Sequence, residues 1–165
     1  LLAILPIYKY PHTILRQRAK KISTIDKSIQ KLVDDMMDTL QNSGGVGLAA
    51  NQIGVLKRLI VIQLPEDEEP TAYINPEIIH REGKREVQEG CLSIPGYYGT
   101  ITRSMWIKAK GMDRKSHIMK FTAEGLLSQI IEHEIDHING ILYIDHLNTH
   151  EDLIKESSEI PITTA

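Results

Sequence analysis

Apolar residues recur every three or four positions between Ile29 and Leu40, which is the spacing of an amphipathic helix. Thr24 or Asp26 can cap the start of this helix, and Gly44 with Gly45 supplies a stop signal. The apolar stripe comprises Ile29, Leu32, Val33, Met36, Met37 and Leu40. We interpret its two methionines as core packing.

After this helix the pattern changes to short apolar runs separated by turn residues, which is typical of strands. The predicted strands cover residues 59–62, 72–75, 77–80, 105–110 and 117–121. The first is a continuous apolar run and predicts a buried strand. The second and third flank Pro76, and the last two predict a hairpin that turns at residues 111–114.

A second helix is predicted to follow the hairpin, capped by Thr122, starting near Ala123 and ending before Asn139 and Gly140. Strands that precede a late helix favour an α+β fold, in which antiparallel sheets pack around that helix. Thr149 has the character of an N-cap and predicts a short C-terminal helix over residues 150–158. We expect the last residues to be frayed.

The length of 165 residues fits one compact domain over residues 1–165, with 149–165 as its tail. A net charge of −3 gives no indication of the basic surface that nucleic-acid binding needs. No apolar run approaches the length of a membrane span. The single cysteine excludes an internal disulfide and fits a reducing compartment.

Candidate chemistry begins with residues 133–137, which read His-Glu-Ile-Asp-His. On a helix His133 and His137 share one face and can hold one metal ion between them. Glu134 can reach a water at that ion as a general base. The alternative is a surface helix with two histidines and a salt-bridging glutamate, and a metal site also needs a third protein ligand.

Several residues are candidates for the third ligand. Tyr143 stands where the metzincin pattern has its last histidine, but tyrosine is not a usual zinc ligand. Glu156 or Glu159 could serve as in thermolysin, although both lie in a polar tail. Cys91, the only cysteine, lies in a loop-like segment bounded by glycine and proline. As a ligand it would complete a three-ligand site with one open position. The alternative is that Cys91 is a small apolar residue buried in the core.

Residues 45–54 form a stretch of small residues whose first six fit the dinucleotide-binding pattern G-x-G-x-x-A. That pattern should follow a strand, whereas this stretch follows a helix. Local evidence favours a helix cap and a tight turn. The functional alternative is that small residues let backbone approach a ligand, to which Gln52 presents its amide.

Three segments together resemble the signature motifs of the peptide deformylase family, in the family's order and spacing. They are Gly-Val-Gly-Leu-Ala-Ala-Asn-Gln at 45–52, Glu-Gly-Cys-Leu-Ser at 89–93 and His-Glu-Ile-Asp-His at 133–137. The resemblance covers about residues 3–147. It implies an α+β metal-dependent hydrolase that removes formyl from the N-terminal methionine of new polypeptides, in the cytoplasm of bacteria or in organelles of bacterial origin.

The resemblance also implies roles for individual residues. Cys91, His133 and His137 would bind one divalent ion, with Fe²⁺ expected and Zn²⁺, Ni²⁺ or Co²⁺ as alternatives. Glu134 would be the general acid and base, while Gln52 and the backbone N–H of Leu92 would stabilise the oxyanion. Water at the metal would attack the formyl carbonyl, and Glu134 would pass its proton to the leaving amine.

Substrate and partners follow from the same resemblance. The substrate is an N-formylmethionyl peptide, and we expect a monomer with no specific nucleic acid and no membrane. The tail carries one lysine against four acidic residues, which does not favour ribosomal RNA, so any ribosome contact would be transient. The residues expected to contact substrate are Val46, Gly47, Val87, Leu126 and Ile130.

Two other classes of function stay open from sequence. One is a metalloprotease that cuts internal peptide bonds, because it would share the His-Glu-x-x-His motif. The other is a non-catalytic metal or redox-sensing module that uses Cys91. Neither Glu134 nor Gln52 is needed to bind metal, so their presence favours the enzyme.

Overall fold

The first predicted helix is present and extends over Lys27–Ser43 (α1) in the structure, a computed structural model that describes residues 3–156 and 164–165. The Asp26 side chain caps it by accepting a hydrogen bond from the Ile29 amide at 3.0 Å. Gly44 ends it in the left-handed conformation, at φ 75°. The helix therefore begins and ends at the cap residues that the sequence predicts.

In the described part of the chain, eight strands form two antiparallel sheets. The strands are Gly47–Ala49 (β1), Leu59–Ile62 (β2), Thr71–Glu82 (β3), Arg85–Cys91 (β4), Ile94–Arg103 (β5), Trp106–Met112 (β6), Ile118–Glu124 (β7) and Ile154–Lys155 (β8). The larger sheet has the order β1-β2-β3-β6-β7, and the smaller has the order β4-β5-β8. The second helix spans Gly125–Ile138 (α2). The two helices and the antiparallel sheets form one compact α+β domain, as the sequence predicts.

The larger sheet has a helix on each face, because the side chains of a strand alternate between its two faces. In β2, Leu59 and Val61 pack in the cluster that contains the apolar stripe of α1. Ile60 and Ile62 point the other way and pack with the isoleucines of α2. The continuous apolar run of this strand is thus explained by burial on both faces.

The second helix starts later than predicted. Thr122 lies within β7 instead of capping the helix, and Glu124 occupies the N-cap position. Glu124 adopts an extended conformation, and Gly125 follows it with a φ of 62°. The end agrees with the prediction, since Asn139 is the C-cap and Gly140 follows at φ 76°. No helix in the described part of the chain is long and apolar enough to cross a membrane.

The prediction of two strands around Pro76 is wrong, because β3 runs through it without interruption. Asn75 has a φ of 52°, and the pairing with β6 shifts register between Ile74 and Glu77. A bulge at this point accommodates the proline, which has no N–H to donate to the neighbouring strand. In the hairpin, Gly111 and Met112 belong to β6, so the turn comes after them.

Four of the strands in the described residues were not predicted from the sequence. Residues 47–49, read as a turn, form the edge strand β1, and residues 85–103 form the hairpin of β4 and β5. Cys91 is the last residue of β4 and does not lie in a loop. The tail contributes the fourth, β8, which pairs with Tyr97 and Tyr98 of β5.

The predicted C-terminal helix begins at His150, where expected, with the Thr149 side chain accepting from the Glu151 amide. It is a 3-10 turn of three residues, after which β8 follows. Residues 157–163, which include the end of the predicted helix, lie outside the described residues. Thr164 and Ala165, expected to be frayed, contact the domain, and Ala165 is 1% exposed.

Gly140→Ala should destabilise the fold more than Gly44→Ala, although both glycines have nearly the same φ, 76° and 75°. A Cβ at 140 would lie 2.5 Å from the carbonyl oxygen of Arg16, whereas a Cβ at 44 would meet nothing within 4 Å. Gly44→Ala should cost about 1–2 kcal/mol for the left-handed conformation alone. Urea unfolding of both variants measures the difference, and equal losses would show that the approach of Arg16 is unimportant.

Candidate metal centre

Two histidines face one side of α2, as their spacing of four residues requires. The helix is buried around most of its circumference, and His133 and His137 are 2% and 1% exposed. Their Nε2 atoms lie 3.1 Å apart. The apolar residues that precede and separate them pack against the larger sheet, so the helix has no freedom to turn its histidines elsewhere.

Cys91 reaches these histidines from the end of β4. The register of β4 against β5 shifts between Glu89 and Cys91, which directs the end of the strand towards α2. The Cys91 Sγ lies 3.3 Å from His137 Nε2, and the donor atoms of all three residues lie within 4.8 Å of one another. These three form a cluster that could hold a metal ion, within the described residues.

The donor set fits a metal ion. A tetrahedral ion with bonds of about 2.0–2.3 Å holds neighbouring donors about 3.3–3.7 Å apart. The separations of 3.1 and 3.3 Å lie close to that range. One thiolate and two imidazoles leave the fourth position open, as a catalytic site requires.

The other candidate ligands are not part of this cluster. The Tyr143 ring stacks on the His133 ring, with centroids 6.2 Å apart, and so packs against a ligand instead of offering its oxygen. Glu156 is outside the cluster, and Glu159 lies outside the described residues. Cys91 is therefore the third ligand that the geometry favours.

A chain of charged groups supports His133 from behind. Glu89 Oε1 accepts from His133 Nδ1 at 2.6 Å, and both Glu89 oxygens accept from Arg103, at 2.7 and 2.8 Å. Arg103 also binds Asp136 at 2.7 Å, which is 2.9 Å from His146 Nε2. A histidine held this way presents its Nε2 in a fixed direction and becomes a stronger ligand. Arg103 and Asp136 were not identified from sequence.

These contacts decide the ionisation of Glu89. Burial alone would raise the pKa of its carboxyl, but the hydrogen bonds and charges of Arg103 and His133 lower the pKa to about 2. Glu89 is therefore an anion at any pH where the protein functions. It favours the tautomer of His133 that carries its proton on Nδ1 and leaves Nε2 as the electron-pair donor.

Glu134 differs from Glu89 in making no hydrogen bond within the described residues. It is fully buried, and neither carboxylate oxygen has a hydrogen-bond partner among the described residues. Its Oε1 lies 3.9 Å from His137 Nε2. Burial raises the pKa of this carboxyl to about 7, although the nearby His133 opposes the shift. A buried polar group without partners is costly and is typical of a reactive or ligand-binding position.

Gly47 of β1 lies directly over Glu134. A Cβ at this position would come within 2.8 Å of Glu134 Oε2 and of Ile130. Only glycine lets the edge strand approach the carboxylate so closely. The small residues of the stretch 45–54 therefore bring backbone close to the site. This agrees with the functional interpretation of the stretch better than with the cap-and-turn interpretation.

Gln52 is held in a 3-10 turn, Ala50–Ile53, and is fully buried. Its Oε1 accepts from the Ala49 amide at 2.9 Å, which fixes the orientation of the side-chain amide. Its Nε2 donates to Ser93 Oγ at 3.1 Å and lies 3.7 Å from Cys91 Sγ. Ser93, which the sequence analysis did not identify, thus holds the amide beside the metal cluster.

Four of the residues expected to contact substrate lie in two apolar clusters. Val46 and Ile130 are buried in one apolar cluster, and Leu126 packs against it. Val87 packs in a different cluster, with Cys91. It lies two residues before Glu89 on β4, so both point to the face that meets His133.

Two backbone amides at the site are bound by the end of the described chain. The Leu92 amide donates to the carbonyl of Ala165 at 2.8 Å, and the Val46 amide donates to the carbonyl of Thr164 at 2.9 Å. Thr164 also forms a parallel bridge with Gly90. No signal in the sequence predicted this contact, because it depends on how the tail folds back.

Comparisons with known proteins agree with this geometry. A peptide deformylase of Dehalococcoides mccartyi is 48% identical over 162 residues, which cover 97% of each chain. The crystal structure of a peptide deformylase from Legionella pneumophila is 45% identical, with a TM-score of 0.86 over 88% of this chain and 87% of that one. A peptide deformylase from Synechococcus elongatus in complex with actinonin is 36% identical, with a TM-score of 0.87 over 91% and 84%.

The family described as Polypeptide deformylase matches residues 4–152, which include every part of the cluster and the residues around it. Its match, the similarity of nearly full-length relatives and the agreement of the fold lead to one conclusion: the chain belongs to the polypeptide deformylase family.

Proposed function

We propose that this enzyme removes the N-terminal formyl group from the formyl-methionine of newly made polypeptides, as a metal-dependent hydrolase. The observation that carries the proposal is the convergence of Cys91, His133 and His137 beside the unpartnered carboxylate of Glu134, within the described residues. Family membership makes the chain a hydrolase of protein biosynthesis. The complex of a relative with actinonin supports a peptide-like substrate.

Cys91, His133 and His137 would hold one divalent ion per chain. Imidazole and thiolate donors suit Fe²⁺, Zn²⁺, Ni²⁺ and Co²⁺, and we propose Fe²⁺ on the family resemblance. When bound, such an ion lowers the pKa of a water towards about 7 and polarises a carbonyl oxygen. The cysteine thiolate would make the centre sensitive to oxidation.

Glu134 carries the proton in this proposal. Its two oxygens have no hydrogen bond to give up within the described chain, so one can accept the proton of the attacking water. As the C–N bond of the formamide breaks, the same oxygen returns the proton to the leaving amine nitrogen. The products are formate and a free amino terminus.

Two donors would bind the oxygen of the formyl group as it gains negative charge. One is the Leu92 backbone N–H. The other is Gln52 Nε2, whose amide has two hydrogens and uses one for Ser93. The second hydrogen lies on the side of Cys91 Sγ, towards the metal ligands. Both donors are fixed in advance, so they lose little when the charge develops.

The methionine side chain would enter the apolar surface formed by Val46, Leu126 and Ile130, with Val87 at its border. Gly47 would leave room for the substrate backbone above Glu134. We further propose a single domain over residues 1–165, a monomer, and at most transient contact with the ribosome. The named relatives are bacterial, which supports the bacterial cytoplasm or an organelle of bacterial origin as its location.

The wild-type enzyme should release formate from a formyl-Met peptide and should not cleave the acetyl-Met or internal-amide analogues at comparable rates. Glu134→Gln should keep its metal and lose about 10²–10⁴-fold in turnover, because the amide cannot accept the water's proton. Formate release with metal analysis of the same samples measures both. Equal rates on formyl and acetyl peptides, or near-normal activity of the variant, would favour a looser amidase or protease.

Cys91→Ala should lower metal affinity by more than the about 10–100-fold typical of changes behind a ligand, because a ligand itself is removed. Ser93→Ala is the matched control, two residues away and equally buried, and should retain full metal occupancy. Metal content after dialysis against a chelator distinguishes the two. If the Cys91 variant held its ion as firmly as the control, the ligand assignment would fail.

Gln52→Ala should lower kcat by about 10²–10³-fold and change KM little, because an oxyanion donor acts mainly in the transition state. It should also lose about 1–3 kcal/mol of stability, since the Ala49 amide is left without its acceptor. Asn51→Ala is the control: its buried amide binds the Gln17 carbonyl at 2.7 Å, outside the site.

Steady-state kinetics and urea unfolding of both variants at matched metal content separate these effects. Asn51→Ala should lose stability while kcat stays near that of the wild type. A raised KM with unchanged kcat in Gln52→Ala would make Gln52 a ground-state substrate contact, and the oxyanion would then rest on Leu92 and the ion.

A further inference from the structure

The cleft beside the metal cluster is bordered by two lengths of backbone with amides pointing into it, those of Val46 and Leu92. Thr164 and Ala165 lie between them, and their carbonyl oxygens accept from Val46 at 2.9 Å and from Leu92 at 2.8 Å. The parallel bridge to Gly90 adds a third backbone contact. These two residues therefore bind like a short added strand.

Glycines make room for this strand on both sides. A Cβ on Gly45 would come within 3.0 Å of the Thr164 carbonyl oxygen, and one on Gly90 would touch the Thr164 side chain at 3.6 Å. The cleft is thus narrow enough to hold one extended chain. Residues 164–165 of this chain occupy it.

The side chain of Ala165 contributes apolar contact. It is 1% exposed and belongs to the same buried cluster as Val46 and Ile130. Those are the residues proposed to receive the methionine of the substrate. Ala165 therefore packs in the apolar cluster to which the proposed substrate-contacting residues belong.

We propose that residues 164–165 act as an internal competitor, which occupies the peptide cleft and must leave before substrate binds. The proposal rests on the proposed function of this site. The Leu92 N–H bonds Ala165, and it cannot at the same time donate to a formyl oxygen. The Val46 N–H is occupied in the same way by Thr164. Docking of the tail and binding of the substrate are mutually exclusive.

The contacts that hold the segment are non-covalent, so the competition is reversible. They include two backbone hydrogen bonds and one small apolar side chain, and the segment is present at high effective concentration because it is part of the chain. When only a fraction of a protein is competent to bind, the apparent dissociation constant rises by the inverse of that fraction. The tail should therefore raise KM and leave kcat unchanged.

Ala165→Asp tests this competition, because a carboxylate is expelled from the apolar cluster and should release the tail. We expect KM for a formyl-Met peptide to fall about two- to tenfold at unchanged kcat and metal content. Ile154→Asp is the matched control. It places the same charge on the same tail, at a side chain that is 48% exposed, and should leave KM as it is.

Amide hydrogen exchange of the free proteins supplies a readout that does not depend on activity. The Val46 and Leu92 amides should be protected in the wild type and in Ile154→Asp, and should exchange faster in Ala165→Asp. A variant in which Thr164 and Ala165 are deleted should behave like Ala165→Asp, which guards against misfolding of the point variant.

Unchanged KM and unchanged exchange in both tail variants would overturn the proposal while deformylase activity stood. Conversely, if the protein did not cleave formyl peptides at all, the exchange data would still report whether the tail occupies the cleft. The two failures are thus distinguishable.

Discussion

The ion pair between Glu89 and Arg103 is the interaction on which the rest of the site depends. Their side chains are 1% and 4% exposed, so neither charge is tolerated without the other. Glu89 belongs to β4 and Arg103 ends β5, and each also binds a residue of α2, His133 and Asp136 respectively. Removal of one partner from such a pair typically costs about 3–5 kcal/mol. The same contacts join the smaller sheet to the helix and orient a metal ligand, so fold and site depend on one network.

The path of the chain makes this network possible. The larger sheet separates the two helices, and α2 lies between that sheet and the end of β4, where Glu89 and Cys91 reach it. The helix supplies two of the three residues of the candidate metal cluster from a scaffold that is packed on several sides. The third, Cys91, comes from a strand of the other sheet, so the cluster forms only when both sheets are in place.

The sequence predicted the helices, the buried strand β2 and the histidine pair for a common physical reason, which is that each depends on local spacing. Ile29 to Leu40, Leu59 to Ile62, and His133 with His137 are patterns that a single element imposes. The strand β4 was missed because its residues 85–89 read Arg-Glu-Val-Gln-Glu, with one apolar side chain. Arg103 was missed for a related reason: its partners, Glu89 and Asp136, are 14 and 33 residues away in sequence, and only the folded chain shows that they meet.

The polar side chains at this site differ in how many of their hydrogen-bonding groups have partners. The difference matches the role proposed for each side chain. Gln52 and His133 must hold still, and each is fixed by bonds on the side away from the cluster. In the proposed function Glu134 gains and loses a proton, and it is buried without a hydrogen bond in the described chain. A partner for Glu134 would stabilise the fold but would hold one protonation state in place. The packing of α2 and the Glu89–Arg103 pair offset the cost of burying a carboxylate that makes no hydrogen bond within the described residues.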